Sequence, residues 1–130
     1  NAPVYPFGYG LSYTTFEYSG VTLSATEMTA DGSITAQVTV TNTGDREGEE
    51  IVQLYIRDMV GSITRPIKEL KGFEKISLAP GESRTVCFEI DRTDLEFFNY
   101  NLEKVVEPGE FKIFIGKDSQ TANEATLIVK

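Results

Sequence analysis

Hydrophobic and polar residues alternate along most of this chain with a period of two, and helical periodicity is nearly absent. The clearest alternation runs over 34–41, and its apolar positions are Ile34, Ala36, Val38 and Val40. This pattern predicts a strand with one buried face and one solvent-facing face. The strand is expected to end at 42–45, because asparagine, glycine and aspartate tolerate the positive φ of a turn.

Further strands are predicted on both sides of this one. In 51–56, the positions expected to face the core are Val52, Leu54 and Ile56, and those expected opposite are Ile51, Gln53 and Tyr55. The other predicted strands are 16–25 with a bulge or bend at Gly20, 67–78, 86–90, 111–115 and 125–129. Pro-Gly pairs within 79–82 and 107–110 predict turns, because proline presets φ and glycine accepts a positive one.

About seven short strands separated by regular turn signals are typical of an all-β, immunoglobulin-like antiparallel β-sandwich. Each sheet has one dry face, and the two dry faces must meet to form the core. We therefore predict one sandwich over residues 16–130. Residues 1–15 are predicted to be an N-terminal arm that leads in from an upstream domain.

Three local signals refine these strands. A short helical turn is expected within 91–98, with Thr93 as its N-cap and Glu96 three residues later, at capping-box spacing. Cys87 is the only cysteine, which excludes an internal disulfide, and it is expected to be a small packing residue in its strand. Lysines at 68, 71 and 75 would protect an exposed edge from pairing with another chain.

The N-terminal arm is rich in aromatic and apolar side chains, namely Phe7, Tyr9, Leu11 and Tyr13. Glycines between them permit tight backbone conformations, while the large rings need a surface to cover them. We predict that these four residues dock on another domain; the alternative is that the arm packs on its own sandwich. Loop 57–66, which contains Arg65, is the second docking candidate.

Composition and charge narrow the classes of partner. The chain has 130 residues, 40% hydrophobic and 25% charged, as in an ordinary globular domain. Its formal net charge of −8 disfavours nucleic acid and anionic membranes, which attract basic surfaces. We therefore expect neither nucleic acid nor a membrane among its partners.

Catalytic chemistry has little support in these residues. Histidine, the commonest general base and metal ligand, is missing from the sequence. The 20 acidic residues fall mostly in turns and at outward positions, so no pair is assigned as acid and base. The acidic cluster within 45–50 lacks the spacing of a calcium loop and is expected to be solvated. We assign no catalytic residue, no metal ligand and no cofactor.

One aromatic cluster, Phe97, Phe98 and Tyr100, stands beside a predicted loop. Exposed aromatic rings can stack on sugar rings, so these three residues are the candidates for contacting a sugar. The alternative is that they cover the end of the sandwich. The chain has no tryptophan, the residue most used for sugar stacking, which weighs against the first reading.

Several motifs, taken in order, resemble one known family. They are Pro6-Phe7-Gly8-Tyr9-Gly10-Leu11-Ser12-Tyr13-Thr14, Val40-Thr41-Asn42-Thr43-Gly44, Val52-Gln53-Leu54-Tyr55-Ile56-Arg57-Asp58, Arg65-Pro66 with Lys68-Glu69-Leu70-Lys71-Gly72-Phe73, Leu78-Ala79-Pro80-Gly81-Glu82-Ser83 and Glu107-Pro108-Gly109-Glu110-Phe111. The set resembles the C-terminal fibronectin type III-like domain of glycoside hydrolase family 3 enzymes, the β-glucosidase and β-xylosidase group. The similarity covers nearly the whole chain.

This resemblance implies an accessory role. In that family the nucleophilic aspartate lies in an N-terminal barrel and the acid/base carboxylate is also supplied upstream, so no catalytic residue transfers to this chain. The implied partners are the catalytic domains of the same polypeptide, with homodimer contacts or a loop lent to the substrate cleft left open. The implied location is periplasmic or secreted. The alternatives are an independent carbohydrate-binding or adhesion module and a purely structural spacer.

Overall fold

The computed structural model describes residues 14–59, 68–98 and 101–130, without the side chains of 97 and 98. The described elements, in chain order, are strands β1 (Phe16–Tyr18), β2 (Thr22–Leu23), β3 (Glu27–Met28), β4 (Ser33–Asn42), β5 (Gly48–Asp58), β6 (Lys68–Leu78) and β7 (Ser83–Asp91), helix α1 (Arg92–Leu95), and strands β8 (Phe97–Phe98), β9 (Lys104–Val105), β10 (Gly109–Gly116) and β11 (Glu124–Val129).

Two sheets form the predicted sandwich. In the first sheet, β4 pairs antiparallel with β1 and β2 on one side and with β7 on the other. The second sheet has the order β3-β11-β10-β5-β6, and all its pairs are antiparallel except β3 with β11. Strands β8 and β9 form a separate small hairpin. The all-β sandwich expected from the alternation is confirmed.

The first predicted strand, 16–25, is divided into short pieces. Strands β1 and β2 are separated by 19–21, where Gly20 was expected to cause a bend. The chain then crosses to the other sheet, because β3 pairs with β11 rather than with β4. This crossing was not predicted, since alternation indicates a strand but not the sheet that it joins.

The core lies between the sheets and uses the predicted inward positions. In β4 the buried residues include Ile34, Ala36, Val38 and Val40, and in β5 they include Val52, Leu54 and Ile56. Strand β10 contributes Phe111, Ile113 and Ile115, and β11 contributes Leu127 and Val129. These side chains form one cluster, so the described strands share one hydrophobic core.

Two local predictions were wrong. The N-cap of α1 is Asp91, whose carboxylate accepts from Thr93 N, while Asp94 completes the capping box through Asp91 N. The helix therefore begins two residues earlier than the Thr93 cap implied, because an aspartate at 91 caps as well as a threonine. Cys87 is exposed rather than packed, since it lies on the outward face of β7, and its thiol lies 3.5 Å from Gln37 Oε1.

Candidate functional site

The docking and sugar-contact residues predicted from the sequence fall largely outside the described residues. Phe7, Tyr9, Leu11, Tyr13, Arg65 and Tyr100 all lie outside them, and Phe97 and Phe98 are described only as the backbone of β8. These assignments therefore stay predictions. What the structure does describe is the point where the arm joins the sandwich and the outer face of the second sheet.

The arm joins the sandwich at Asn42, the last residue of β4, whose side chain has no exposed surface. Its Nδ2 donates to Arg46 O at 2.7 Å and to Leu78 O at 2.9 Å. Its Oδ1 accepts from Thr14 Oγ1 at 2.6 Å and from Gly44 N at 2.9 Å. The amide thus uses both hydrogens and both acceptor positions, as a buried polar group must.

Gly44 and Thr43 complete this junction. Thr43 N donates to Thr15 O at 2.8 Å, and the Thr15 and Thr43 hydroxyls are 2.7 Å apart. A Cβ placed on Gly44 would overlap the Thr14 side chain, so only glycine permits the approach. We call Thr14, Thr15, Asn42, Thr43 and Gly44 the arm anchor. It explains physically why Asn-Thr-Gly stands at this turn.

A second buried polar contact joins the two sheets. Tyr18 in β1 donates its hydroxyl to Glu50 Oε2 in β5 at 2.8 Å. Burial raises the pKa of Glu50, although the Tyr18 hydrogen bond and the positive charge of Lys117 oppose the rise. Burial also raises the pKa of Tyr18, and the Glu50 carboxylate adds to this effect.

The Tyr18–Glu50 contact corrects one prediction about the acidic cluster within 45–50. The cluster was expected to be a solvated loop, but Glu49 and Glu50 belong to β5 and Glu50 is half-buried. No local pattern indicates this contact, because the partner tyrosine is 32 residues away. Glu50 is therefore a structural carboxylate rather than one of a group of solvated charges.

The outer face of the second sheet points away from the core and is partly covered by the chain itself. Phe114 lies on this face in β10, opposite Tyr55 of β5, and is only 4% exposed. The ammonium of Lys68 lies 4.0 Å from the centroid of the Phe114 ring, within cation–π range. It also donates to Ser119 O at 2.9 Å and to Thr121 O at 3.0 Å. Lys68 therefore ties the β10–β11 turn to this face.

Acid–base chemistry finds little support among the described side chains. Glu50 and Asp94 are the described carboxyl groups whose pKa is raised, in both cases mainly by burial. Each is engaged in a structural hydrogen bond, Glu50 with the Tyr18 hydroxyl and Asp94 with Asp91 N. Neither group is therefore assigned a catalytic role.

Two further properties of the described residues add to this picture. No group of three or more cysteine, aspartate and glutamate side chains there is arranged to hold a metal ion. The described helix has four residues, and it does not approach the length or apolar character needed to cross a membrane. The features of the described residues that bear on function are therefore the arm anchor and the outer face of the second sheet.

Comparison with known proteins relates this fold to one family. The fibronectin type III-like domain family matches residues 50–119, which is more than half of the chain. A periplasmic beta-glucosidase of Salmonella typhimurium is 54% identical over 127 residues, covering 98% of this chain but 17% of that protein. Beta-glucosidase BoGH3A of Bacteroides ovatus is 51% identical over 118 residues, covering 90% of this chain and 16% of that protein.

A solved structure gives the same relation. The b-glucosidase EmGH1 of Erythrobacter marinus superimposes with a TM-score of 0.88 at 43% sequence identity. The match covers 97% of this chain and 17% of that structure. The chain thus spans about one-sixth of the length of each of these three relatives.

Proposed function

The chain belongs to the fibronectin type III-like domain family, and we propose that it serves as the accessory C-terminal domain of a glycoside hydrolase family 3 enzyme of the β-glucosidase type. In this role it packs on the catalytic domains of the same polypeptide and stabilises them. The observation that carries the proposal is the coverage: nearly all of this chain matches, yet the match accounts for 17% of a periplasmic beta-glucosidase.

The arm anchor supports this role. A domain that braces its neighbours needs a fixed connection to them, because a flexible joint would let the two bodies separate. Thr14 is held by the wholly buried Asn42, so the backbone direction is set where the arm joins the sandwich. We propose that Phe7, Tyr9, Leu11 and Tyr13 then dock on the preceding domain. Arg65 in the loop before β6 is the second docking residue.

The parent enzyme that we propose is a retaining hydrolase of β-linked glucosides or xylosides, whose nucleophile and acid/base carboxylates lie upstream of this chain. A periplasmic or secreted location agrees with the name of the Salmonella relative. Contacts between two copies of the parent through this domain are a further part of the proposal.

The proposal is tested by removing the domain. We expect a parent lacking residues 14–130 to unfold at a lower temperature and to lose activity on an aryl β-glucoside faster on heating than the intact enzyme. We expect the 130-residue chain alone to hydrolyse nothing. If the truncated parent keeps its stability and activity, the domain is a spacer. If the chain alone hydrolyses the substrate, the accessory role is wrong.

The same preparations test the alternative of a carbohydrate-binding module. Binding of the chain alone to a glycan array, abolished by Phe98→Ala or Tyr100→Ala, would replace the bracing role with a sugar-binding one. Under our proposal, the array shows no such binding.

A further inference from the structure

Strand β6 is the edge of the second sheet, and it contains a β-bulge. Phe73 pairs with Gln53, and Leu70 pairs with Tyr55. The register shifts between Leu54 and Tyr55, so partners that are two residues apart in β5 are three residues apart in β6, and Lys71 is the extra residue. In a regular strand, residues three apart point to opposite faces of the sheet. The bulge reverses this relation, so Leu70 and Phe73 share the outer face.

Both of these side chains are largely exposed. Leu70 is 51% exposed and Phe73 is 68% exposed, and with Leu102 they are the exposed large hydrophobic residues of the described chain. Half-buried Ile51 lies on the same face, two residues before Gln53 in β5. Because the bulge places Leu70 and Phe73 on one side of the strand, their shared exposure is set by the backbone of β6. We call Leu70, Phe73 and Ile51 the β6 patch.

The charged residues at the two ends of the β6 patch are already engaged. Lys75, opposite Ile51, lies 3.4 Å from the carboxylate of Glu49. Lys68 donates to two carbonyls of the β10–β11 turn. The patch therefore has an apolar centre between two lysines that already have partners within the domain, which fits an apolar protein surface better than a charged ligand.

The patch also lies near the place where the arm enters. The arm anchor is hydrogen-bonded to the last residue of β6, through Asn42 Nδ2 and Leu78 O. Phe73 is five residues back along the same strand, a distance of roughly 17 Å at the rise of an extended chain. Thirteen residues precede Thr14, and they can span at most about 45 Å. Under the proposed function the catalytic domains precede the arm, so they are tethered within reach of the patch.

We propose that the β6 patch packs against an apolar surface of the catalytic part of the same polypeptide; this rests on the proposed function. The tether raises the effective concentration of that surface to about the millimolar range, far above that of a second copy. Lysines along the β6 edge also oppose edge-to-edge pairing of two copies. The occupant is therefore the parent's own upstream domain.

Site-specific cross-linking in the full-length parent tests this proposal. Phe73 is replaced by the photoreactive p-benzoylphenylalanine, and the matched control carries the same replacement at Leu102, which is 81% exposed and lies outside the patch. After irradiation, peptide mass spectrometry identifies the cross-linked partner. We expect position 73 to cross-link within one polypeptide to residues upstream of this chain, at a higher yield than position 102.

Two results would overturn the proposal: cross-links between two copies of the parent, or a yield at position 73 no greater than at position 102. As a second measurement, Leu70→Ser with Phe73→Ser should lower the Tm of the intact parent, whereas Leu102→Ser should not. Equal Tm values for the two variants would also overturn it. If removing the domain destabilises the parent but position 73 gives no cross-link, the accessory role stands and only this face is wrong.

Discussion

Replacing Asn42 by alanine tests whether the arm anchor holds the sandwich together. The substitution removes two donated and two accepted hydrogen bonds at once. The carbonyls of Arg46 and Leu78, the Gly44 N–H and the Thr14 hydroxyl each lose their bond to Asn42. Since the Asn42 side chain has no exposed surface, alanine also leaves a small cavity at the end of β4.

The expected loss of stability follows from the burial of each bond. The bond to Leu78 O is fully buried, and an unsatisfied buried carbonyl costs about 1–3 kcal/mol. The other three bonds are partly buried, so water can replace them in part and each contributes about 0.5–1 kcal/mol. The sum is about 2.5–6 kcal/mol, which is a large part of the roughly 5–15 kcal/mol of a native domain.

Urea unfolding of the 130-residue chain measures this loss. With a slope of about 1–3 kcal/mol per molar urea, the midpoint should fall by on the order of 1 M or more. Thr14→Val is the matched control, because it removes one of the four bonds and should cost about 0.5–1 kcal/mol. A cost for Asn42→Ala no larger than that of Thr14→Val would refute the reasoning.

Two further substitutions test the geometry around the anchor and the sheet contact. In a thermal unfolding assay, Gly44→Ala should destabilise the chain by about 1–3 kcal/mol, because its Cβ overlaps Thr14. Gly20→Ala is the control and should be nearly neutral, because its Cβ meets nothing within 4 Å. Equal effects of the two substitutions would contradict the close approach at Gly44. The raised pKa of Glu50, which faces the Tyr18 hydroxyl and the charges of Lys117 and Asp118, means that the folded state holds the proton more tightly than the unfolded chain. The stability that this proton supplies is complete below the ordinary pKa of 4.5 and is lost as the pH rises through the folded pKa. Glu50→Gln should therefore be more favourable for stability at neutral pH than below pH 4.5. A difference in unfolding free energy between the variant and the original chain that does not change with pH would contradict this.

The strands were predictable because their signal is local. Over 34–40 in β4 and 52–56 in β5, the inward residues are apolar and stand two positions apart, so the pattern alone identifies the buried face. The register is not local. The bulge in β6 depends on how 11 residues of that strand align with β5, and its alternation alone does not place Leu70 and Phe73 on one face. The crossing of the chain to β3 was missed for the same reason.

The polar residues of the site were harder to predict than the core. The sequence correctly predicts Asn42 as a turn residue. Its partners Thr14 and Leu78 are 28 and 36 residues away, so a local pattern does not identify them. Glu50 reads as one acid among several, and only the approach of Tyr18 from the other sheet distinguishes it. A helix cap is local, yet Asp91 and Thr93 are both good caps, so the sequence could not choose between them.

The described polar groups and the described apolar surface differ in a way that bears on function. The half-buried carboxyls of Glu50 and Asp94 and the buried amide of Asn42 are each engaged by hydrogen bonds within the sandwich. Groups held in this way contribute to rigidity and are poorly placed to exchange protons with a substrate. Leu70 and Phe73 are the reverse: they contribute little to the core and face solvent. Three polar groups held inside the sandwich, together with two large apolar side chains held outward on a bulged edge strand, agree with the proposed contact of this face with another protein surface.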